Sequence, residues 1–519
     1  IGASIFAANI GSEHLIGLAG AGASSGMAMA HWEIQGWMIL ILGWVFVPFY
    51  TRSMVYTMPE FLERRYNPQS RTILSVISLV SYVLTKVAVT VYAGGLVFQQ
   101  VFGIKELWGI DFFWIAAIGL VVLTALYTIF GGMKSVLYTS VLQTPILLLG
   151  SLIILVLGFK ELGGWDEMMR VCGAVTVNDY GDTMTNLIRS NDDANFPWLG
   201  ALIGSAIIGF WYWCTDQFIV QRVLSGKNEM EARRGTIFGA YLKLLPVFLF
   251  LIPGMIAFAL HQKYIGAGGE GFLPMLENGT ANADAAFPTL VAKLLPAGVK
   301  GLVVCGILAA LMSSLASLFN SSAMLFTIDF YKRFRPQTSE KKLVGIGQVA
   351  TVVIVILGIL WIPIMRSVGD VLYTYLQDVQ SVLAPGIAAA FLLGICWKRT
   401  SAQGGMWGLI SGMVIGLTRL GAKVYYSNAG EVADSTFKYL FYDMNWLFFC
   451  GWMFLFCIIV VIVVSLATEA PTAEKIQGLV FGTATKEQKA STRASWNHWD
   501  IIHTVIILAI TGAFYWYFW

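Results

Sequence analysis

Long apolar stretches separated by short polar connections make up most of the chain. A helix that crosses a bilayer needs about 20 mostly apolar residues, and about 13 segments meet this requirement. These segments are residues 1–22, 32–50, 73–102, 111–130, 138–159, 198–221, 236–260, 299–327, 343–364, 368–396, 402–420, 443–467 and 499–519. The pattern predicts an all-α membrane protein that crosses the bilayer many times.

Basic residues concentrate in alternate connections. Clusters of Lys and Arg lie within residues 52–71, 222–234, 332–342 and 398–399. Connections rich in Lys and Arg stay on the cytoplasmic side, whereas the longer connections 160–197 and 261–298 are Gly/Asn/Asp-rich and poorer in basic residues. The alternation is what a chain that weaves through a bilayer requires, and we expect these two longer connections to lie outside.

The composition agrees with a bilayer as the solvent. The chain is 57% hydrophobic and 12% charged, against about 25% charged residues in soluble domains. A net charge of +3 without a basic block gives no reason to expect nucleic acid. No phosphate-loop motif and no nucleophile–base or metal constellation occurs, so we expect no enzyme. The apolar start, Ile1-Gly2-Ala3-Ser4, is not a signal peptide, and we expect truncation inside the N-terminal region.

Polar interruptions break two apolar segments at matching places. The first segment contains Ala7-Ala8-Asn9-Ile10-Gly11-Ser12-Glu13-His14, and the sixth contains Gly209-Phe210-Trp211-Tyr212-Trp213-Cys214-Thr215-Asp216-Gln217. Interrupted segments at corresponding positions of two halves indicate a midplane binding site in inverted-repeat transporters. The alternative is that the small residues simply let neighbouring helices approach closely.

Several polar side chains lie inside apolar segments, where ionisable groups are costly. Lys243 lies about 13 Å beyond the basic pair Arg233–Arg234, at 1.5 Å per helical residue. It needs a polar partner or a water-filled cavity, and a structural ion pair is the alternative. Glu33, His14 and Gln377 could equally be solvated or bridge helices, and Lys86 has no partner that the sequence can name.

Hydroxyl groups recur on one face of the eighth segment. Ser313, Ser317 and Asn320/Ser321 follow at helical spacing. Such residues can hold helices together. With carbonyl groups from the interrupted first segment they could instead form an all-oxygen cage, which a hard cation such as Na⁺ prefers.

Together these residues resemble the sodium/solute symporter family, and its sodium/glucose cotransporter branch in particular. The resemblance runs nearly end to end and rests on short motifs. They are Ala8-Asn9-Ile10-Gly11-Ser12-Glu13-His14, Tyr56-Thr57-Met58-Pro59-Glu60-Phe61, Phe130-Gly131-Gly132-Met133, Trp211-Tyr212-Trp213-Cys214-Thr215-Asp216-Gln217, Gln221-Arg222, Leu315 to Asn320 with Asp329, and Phe391-Leu392-Leu393-Gly394 with Trp397-Lys398-Arg399. The Trp-Tyr-Trp-Cys-Thr-Asp-Gln run is the most specific of them.

The resemblance implies a leucine-transporter-type fold: a five-plus-five inverted repeat with extra flanking helices. The whole chain, 1–519, would be one transmembrane domain. Its repeats would cover about 1–160 and 198–396, its flanking helices about 402–519, and the first family helix would be missing. It also implies a multi-pass protein of the plasma membrane that couples uptake of a neutral hexose to sodium by alternating access.

The resemblance also assigns roles to individual residues. The sugar-binding residues would be Asn9, His14, Glu33, Trp213, Lys243 and Gln377. The gates would be Tyr212 inside and Leu18, Trp32 and Tyr373 outside. Carbonyls of Ala7, Ile10 and Ala310 and hydroxyls of Ser313 and Ser314 would bind Na⁺.

Four positions depart from the family pattern. Ser140 and Ala316 replace ligands of a second sodium site, so the expected ratio is one Na⁺ per sugar. Gly209 and Gly36 replace polar pocket residues, which leaves the identity of the sugar open. The same fold carrying myo-inositol, a sialic acid, proline or a small carboxylate is the nearest alternative, although no Arg in the pocket favours an anion. A sensor that binds solute without transporting it is the second.

Overall fold

The structure is a computed structural model of residues 1–519 that describes the backbone except at residues 12, 54, 56, 277–278, 369–370 and 430–432. Side chains are also left undescribed at 7–8, 127, 129–144 and 366–368. The whole of the predicted motif Phe130-Gly131-Gly132-Met133 and the residue Ser140 therefore lie outside the described side chains.

Helices form most of the described chain, as the sequence predicts. Through residue 173 the elements are Gly2–Asn9, Glu13–Leu18 (π), Ala19–Ser25, Gly26–Met29 (3-10), Ala30–Glu33, Gly36–Ile41, Leu42–Phe46 (π), Val47–Ser53, Met58–Arg65, Pro68–Ser81, Tyr82–Val87 (π), Ala88–Phe102, the strands Glu106–Leu107 and Ile110–Asp111, Phe112–Leu162 and Trp165–Gly173. The two strands pair antiparallel, with Glu106 opposite Asp111.

The remaining named elements of the described chain are all helices, joined by non-helical connections such as 174–197. These elements are Trp198–Gly209, Phe210–Thr215 (π), Gln217–Leu224, Glu229–Leu242, Val247–Leu251 (π), Ile252–Gly266, Ala283–Ala285 (3-10), Ala286–Leu294, Ala297–Met324, Leu325–Tyr331 (π), Lys332–Phe334, Glu340–Val368, Leu372–Cys396, Ala402–Asn428, Thr436–Lys438, Tyr439–Asp443 (π), Trp446–Ala467, Ala473–Ile476, Lys486–Ala494 and His498–Tyr517.

Ten helical stretches in the described part of the chain are long and apolar enough to cross a membrane. The predicted number was higher, partly because continuous helix runs through some predicted connections. Phe112–Leu162 is one helix and covers both predicted segments 111–130 and 138–159. Glu13–Ser53 likewise counts as one stretch. The number of spans therefore stays a prediction.

The helix Leu372–Cys396 lies at the centre of the bundle and is buried along most of its length. Small residues let its neighbour approach closely, because a Cβ added at Gly386 would lie 2.9 Å from Gly412 Cα. Outer helices instead expose large apolar side chains such as Leu455, Phe456 and Val463. This arrangement suits lipid outside the bundle and leaves polar groups to the interior.

Candidate functional site

Both predicted helix interruptions are present in the structure. Helix Gly2–Asn9 ends at Ile10, whose backbone is extended (φ −78°, ψ 98°). The second interruption is at Asp216 (φ −76°, ψ 126°), whose carboxylate accepts from the amide of Phe218 at 3.1 Å and so caps the next helix. Asn9 Nδ2 donates to Tyr212 OH at 3.2 Å, so the two interrupted segments meet.

A buried ion pair lies beside this meeting point. Lys243 Nζ, just past the end of helix Glu229–Leu242, is 2.6 Å from Glu33 Oε2 and 3.1 Å from Asn9 Oδ1. Tyr373 OH donates to the other oxygen of Glu33 at 2.5 Å. Glu33 is 0% exposed and Lys243 is 3% exposed. A charge this deep is tolerated only when it is paired and hydrogen-bonded, and here both carboxylate oxygens have a donor.

A cavity of about 40 Å³ opens among these side chains. Its walls also include His14, Trp213 and Gln377. His14 Nε2 is 3.3 Å from Glu33 Oε2, but neither ring nitrogen has hydrogen-bond geometry to any described residue. The same holds for Gln377 Oε1 within the described chain. Buried polar atoms are nearly always satisfied, so these atoms are available to a polar ligand or to water.

Five of the six predicted substrate-binding residues line this cavity: Asn9, His14, Trp213, Lys243 and Gln377. The sixth, Glu33, lies behind the wall and is bonded to the wall residues Lys243 and Tyr373. Trp213 presents its ring 5.5 Å from Lys243 Nζ. Typical ligand pockets measure about 300 Å³ or more, so a ring-sized solute fits only after wall side chains move.

Three of the predicted gate residues also line the cavity: Trp32, Tyr212 and Tyr373. Trp32 stacks on Trp446 with ring centroids 5.4 Å apart, which connects it to a flanking helix. Leu18 is buried but is not among the described residues of the cavity wall. The opening and closing roles of all four remain predictions.

The predicted sodium ligands lie on two elements that come close together. Ile10 ends the first helix, whose backbone includes Ala7, and the residues Ala310, Ser313 and Ser314 lie in helix Ala297–Met324. A Cβ added at Gly11 would lie 3.2 Å from Ser314 Oγ and 2.6 Å from the Glu13 carboxylate. The hydroxyl of Ser314 therefore reaches the interrupted backbone, and the cage itself remains a prediction.

The two glycine departures have different surroundings. The side chain of Gln35 packs directly against Gly209, donates to Ser205 O at 2.8 Å and lines the cavity. The amide group of Gln35 thus occupies the space that a larger side chain at position 209 would fill. Gly36 faces elsewhere, because its added Cβ would lie 3.0 Å from Ala240 O and 3.4 Å from Ile507. Gly36 is also not among the described residues of the cavity wall.

Lys86, to which the sequence assigned no role, has a partner in the structure. Its Nζ lies 3.3 Å from Asp216 Oδ2 and 3.8 Å from the centroid of the Phe218 ring. Tyr212 lies 5.4 Å away, so Lys86 sits beside the predicted inner gate. The depth of Lys86 in an apolar segment indicated that it needs a polar partner. The sequence could not identify Asp216 as that partner, because the two residues are 130 positions apart.

Comparisons with known proteins agree with this geometry. The profile of the Sodium:solute symporter family matches residues 1–416. Sodium/myo-inositol cotransporter 2 of Homo sapiens is 37% identical over 496 residues, which cover 93% of this chain and 72% of the relative. Sodium/glucose cotransporter 1 of Ovis aries is 39% identical over 498 residues, which cover 90% of this chain and 72% of the relative.

A solved structure has the same fold. It is a Na⁺-coupled sialic acid symporter in a substrate-bound outward-open state, with a TM-score of 0.66, 21% identity, and coverage of 91% of this chain and 90% of that one. The predicted fold class, all-α of the leucine-transporter type, is confirmed. The chain therefore belongs to the sodium:solute symporter family, as a multi-pass protein of the plasma membrane with sodium as its coupling ion.

Proposed function

We propose that this chain carries a neutral, polyhydroxylated ring across the membrane together with Na⁺, as a symporter and not as an enzyme. The substrate is a monosaccharide of the glucose or galactose type. The observation that supports this most directly is the buried Glu33–Lys243 pair, with Asn9 and Tyr373 bonded to it, at the wall of the cavity. A ring of hydroxyl groups can both donate to and accept from such a set.

The charged residues of the described cavity wall, Lys243 and Glu13, disfavour an anionic substrate. The ammonium of Lys243 is compensated by Glu33 at 2.6 Å, and no Arg is among the described residues of the cavity wall. A carboxylate or phosphate substrate would therefore meet no unpaired cation. An epimer that leaves one buried donor or acceptor unpaired loses about 1–3 kcal/mol, which gives selectivity among neutral rings.

Myo-inositol is the second candidate. Several relatives about as similar to this chain as the glucose cotransporter carry that solute in their names. Its hydroxyl groups would use the same donors and acceptors, and Trp213 would pack against the C–H face of either ring.

For the ion, we propose one Na⁺ bound by the carbonyls of Ala7, Ile10 and Ala310 and the hydroxyls of Ser313 and Ser314. The close approach of Ser314 to Gly11 supports this. The buried Ala316 offers no side-chain oxygen for a second ion. Coupling requires that Na⁺ bind one conformation more tightly than the other, because equal affinity shifts no population.

The transport cycle follows alternating access between repeats at about 1–160 and 198–396, with 402–519 flanking them. Na⁺ would join the first and eighth segments and assemble the pocket, and the solute would close Leu18, Trp32 and Tyr373 over it. Release of Na⁺ to the interior would let Tyr212 move aside. One charge crossing 100 mV supplies about 2.3 kcal/mol to this cycle.

The cargo is tested by competition for binding in purified protein at high sodium. The panel is glucose, galactose, mannose, fucose, myo-inositol and N-acetylneuraminic acid. We expect one or two hexoses to compete, and competition by myo-inositol alone would select the second candidate. Preference for the sialic acid, or competition by none of the panel, would contradict a neutral ring substrate.

A further inference from the structure

A second cavity, of about 570 Å³, shares no described wall residue with the candidate site. It is bounded by the end of helix Met58–Arg65, the start of helix Ala402–Asn428 and the residues that follow helix Trp446–Ala467. The connections that carry Arg65 and Arg399 are basic, which places this cavity at the cytoplasmic surface of the bilayer.

The side chain of Arg65 lines the cavity and is 0% exposed. Its Nε donates to Gly394 O at 2.7 Å and its Nη2 to Trp397 O at 3.3 Å, so it caps the end of helix Leu372–Cys396. Its Nη1 has no acceptor among the described residues. A buried cationic donor without an acceptor is costly, so the cap alone does not account for this guanidinium.

A helix begins at the same cavity. Ser401 is the N-cap of Ala402–Asn428, and its Oγ accepts from the amide of Gly404 at 3.0 Å. The first amides of a helix have no acceptor within it, and Ala402 and Gln403, which carry two of them, line the cavity. The positive end of the helix dipole adds to these donors, and such an end is suited to an anion.

The side chains around the cavity are predominantly cationic. Lys475 lines it and donates to Tyr66 O at 2.5 Å. Arg399 donates at 2.8 Å to the carbonyl of Thr468, another wall residue. The opposing charge in the wall is Glu469, which is exposed to solvent. Among the described wall residues, Arg65 and Lys475 are two cations against this one carboxylate, and Arg399 lies just behind the wall.

We propose that this cavity binds a phosphate group, held by Arg65, Lys475 and the amides that open helix Ala402–Asn428. Phosphate accepts several hydrogen bonds at once and matches both a guanidinium and a helix N-terminus. Two sources carry this chemistry at the cytoplasmic surface: the headgroup of an anionic phospholipid and free inorganic phosphate. The membrane span Trp446–Ala467 ends at the cavity, within reach of lipid headgroups.

Two measurements on the full purified chain separate these sources. Equilibrium dialysis with radiolabelled inorganic phosphate, at constant ionic strength in neutral detergent, measures the free ion. Native mass spectrometry after reconstitution with phosphatidic acid and phosphatidylcholine measures retained lipid. Because Arg65 also caps a helix, Gln403→Glu carries the test: it puts a carboxylate in the wall and removes none of the contacts described above. Monodisperse elution and an unchanged melting temperature confirm its fold.

We expect Gln403→Glu to weaken binding about tenfold, since a negative charge at this helix end opposes an anion. The control is Lys398→Gln, which removes an exposed cation nearby that is not in the described cavity wall, and should leave binding unchanged. Phosphate binding lost in Gln403→Glu identifies the free ion, and loss of phosphatidic acid identifies the headgroup. Absence of both ligands from the wild type, or equal binding by Gln403→Glu, would overturn the proposal.

Discussion

The ammonium group of Lys243 lies close to three residues of the candidate site. It neutralises Glu33 at 2.6 Å, bonds Asn9 of the interrupted first segment, and lies 5.5 Å from the ring of Trp213. A buried pair of this kind contributes little net stability, but removing one partner leaves an unpaired charge. Structural and binding roles of Lys243 therefore need separate tests.

The substitution Lys243→Ala should lower solute affinity at least about tenfold, because it removes a charged donor from the cavity wall. It should also destabilise the protein by about 3–5 kcal/mol, since Glu33 stays buried without its cation. The double variant Lys243→Met with Glu33→Gln removes both charges. We expect it to recover the stability and not the affinity, as measured by thermal unfolding and solute binding. Wild-type affinity in Lys243→Ala would exclude Lys243 from the site.

Gln35 is a cavity-wall residue that the sequence did not single out. Gly209 leaves room that the Gln35 side chain fills, and Ser205 O fixes its amide at 2.8 Å. Gly36, one position further on, faces Ala240 and Ile507 instead of the cavity.

We therefore expect Gln35→Leu to weaken solute binding by about 1 kcal/mol, roughly a fivefold loss, because one hydrogen-bonding group is removed. The matched variant Gly36→Ala should leave solute affinity unchanged, although its Cβ would be close to Ala240 O. Titration of solute binding by both variants is the measurement. A larger loss in Gly36→Ala than in Gln35→Leu would contradict this assignment.

At the scale of elements, the interrupted first helix and helix Ala297–Met324 form the proposed ion site. Ser314 is the hydroxyl that most closely approaches the interruption at Gly11. A bound sodium ion would hold the two elements together. Its binding energy would therefore favour the conformation in which they are close to each other.

The variant Ser314→Ala should raise the sodium concentration for half-maximal uptake about tenfold, because a ligand to a cation is lost. Ser321→Ala is the control on the same helix, since Ser321 Oγ donates to Ser317 O at 3.0 Å within its own helix. Uptake measured against sodium concentration compares them. An unchanged half-maximal concentration in Ser314→Ala would remove it from the sodium site.

The sequence predicts elements better than the contacts between them. Both helix interruptions follow from runs of polar residues in apolar segments, and both are found. The Lys86–Asp216 pair was not predictable, because helix packing sets the partner of a buried charge and sequence distance does not. The neighbours of Gly36, Ala240 and Ile507, were not predictable either, because the resemblance identifies the position by residue type and helix packing sets its contacts.

At the scale of the whole molecule, most residues of the candidate site could be named in advance because the resemblance covers nearly the entire chain, and their role in substrate binding stays a prediction. Asn9, Glu33, Lys243 and Tyr373 come from four distant parts of the chain and converge on one network. The number of spans was not predictable from hydropathy, since a helix such as Phe112–Leu162 continues through a predicted connection. The division into repeats remains a proposal.

The most direct test of the account is uptake of radiolabelled hexose into proteoliposomes, with an inward sodium gradient and with equal sodium on both sides. We expect the hexose to accumulate above its external concentration only with the gradient, and one positive charge to enter with each solute. Equilibration at the same rate without sodium would contradict coupling. Binding without any flux would identify a sensor in place of a symporter.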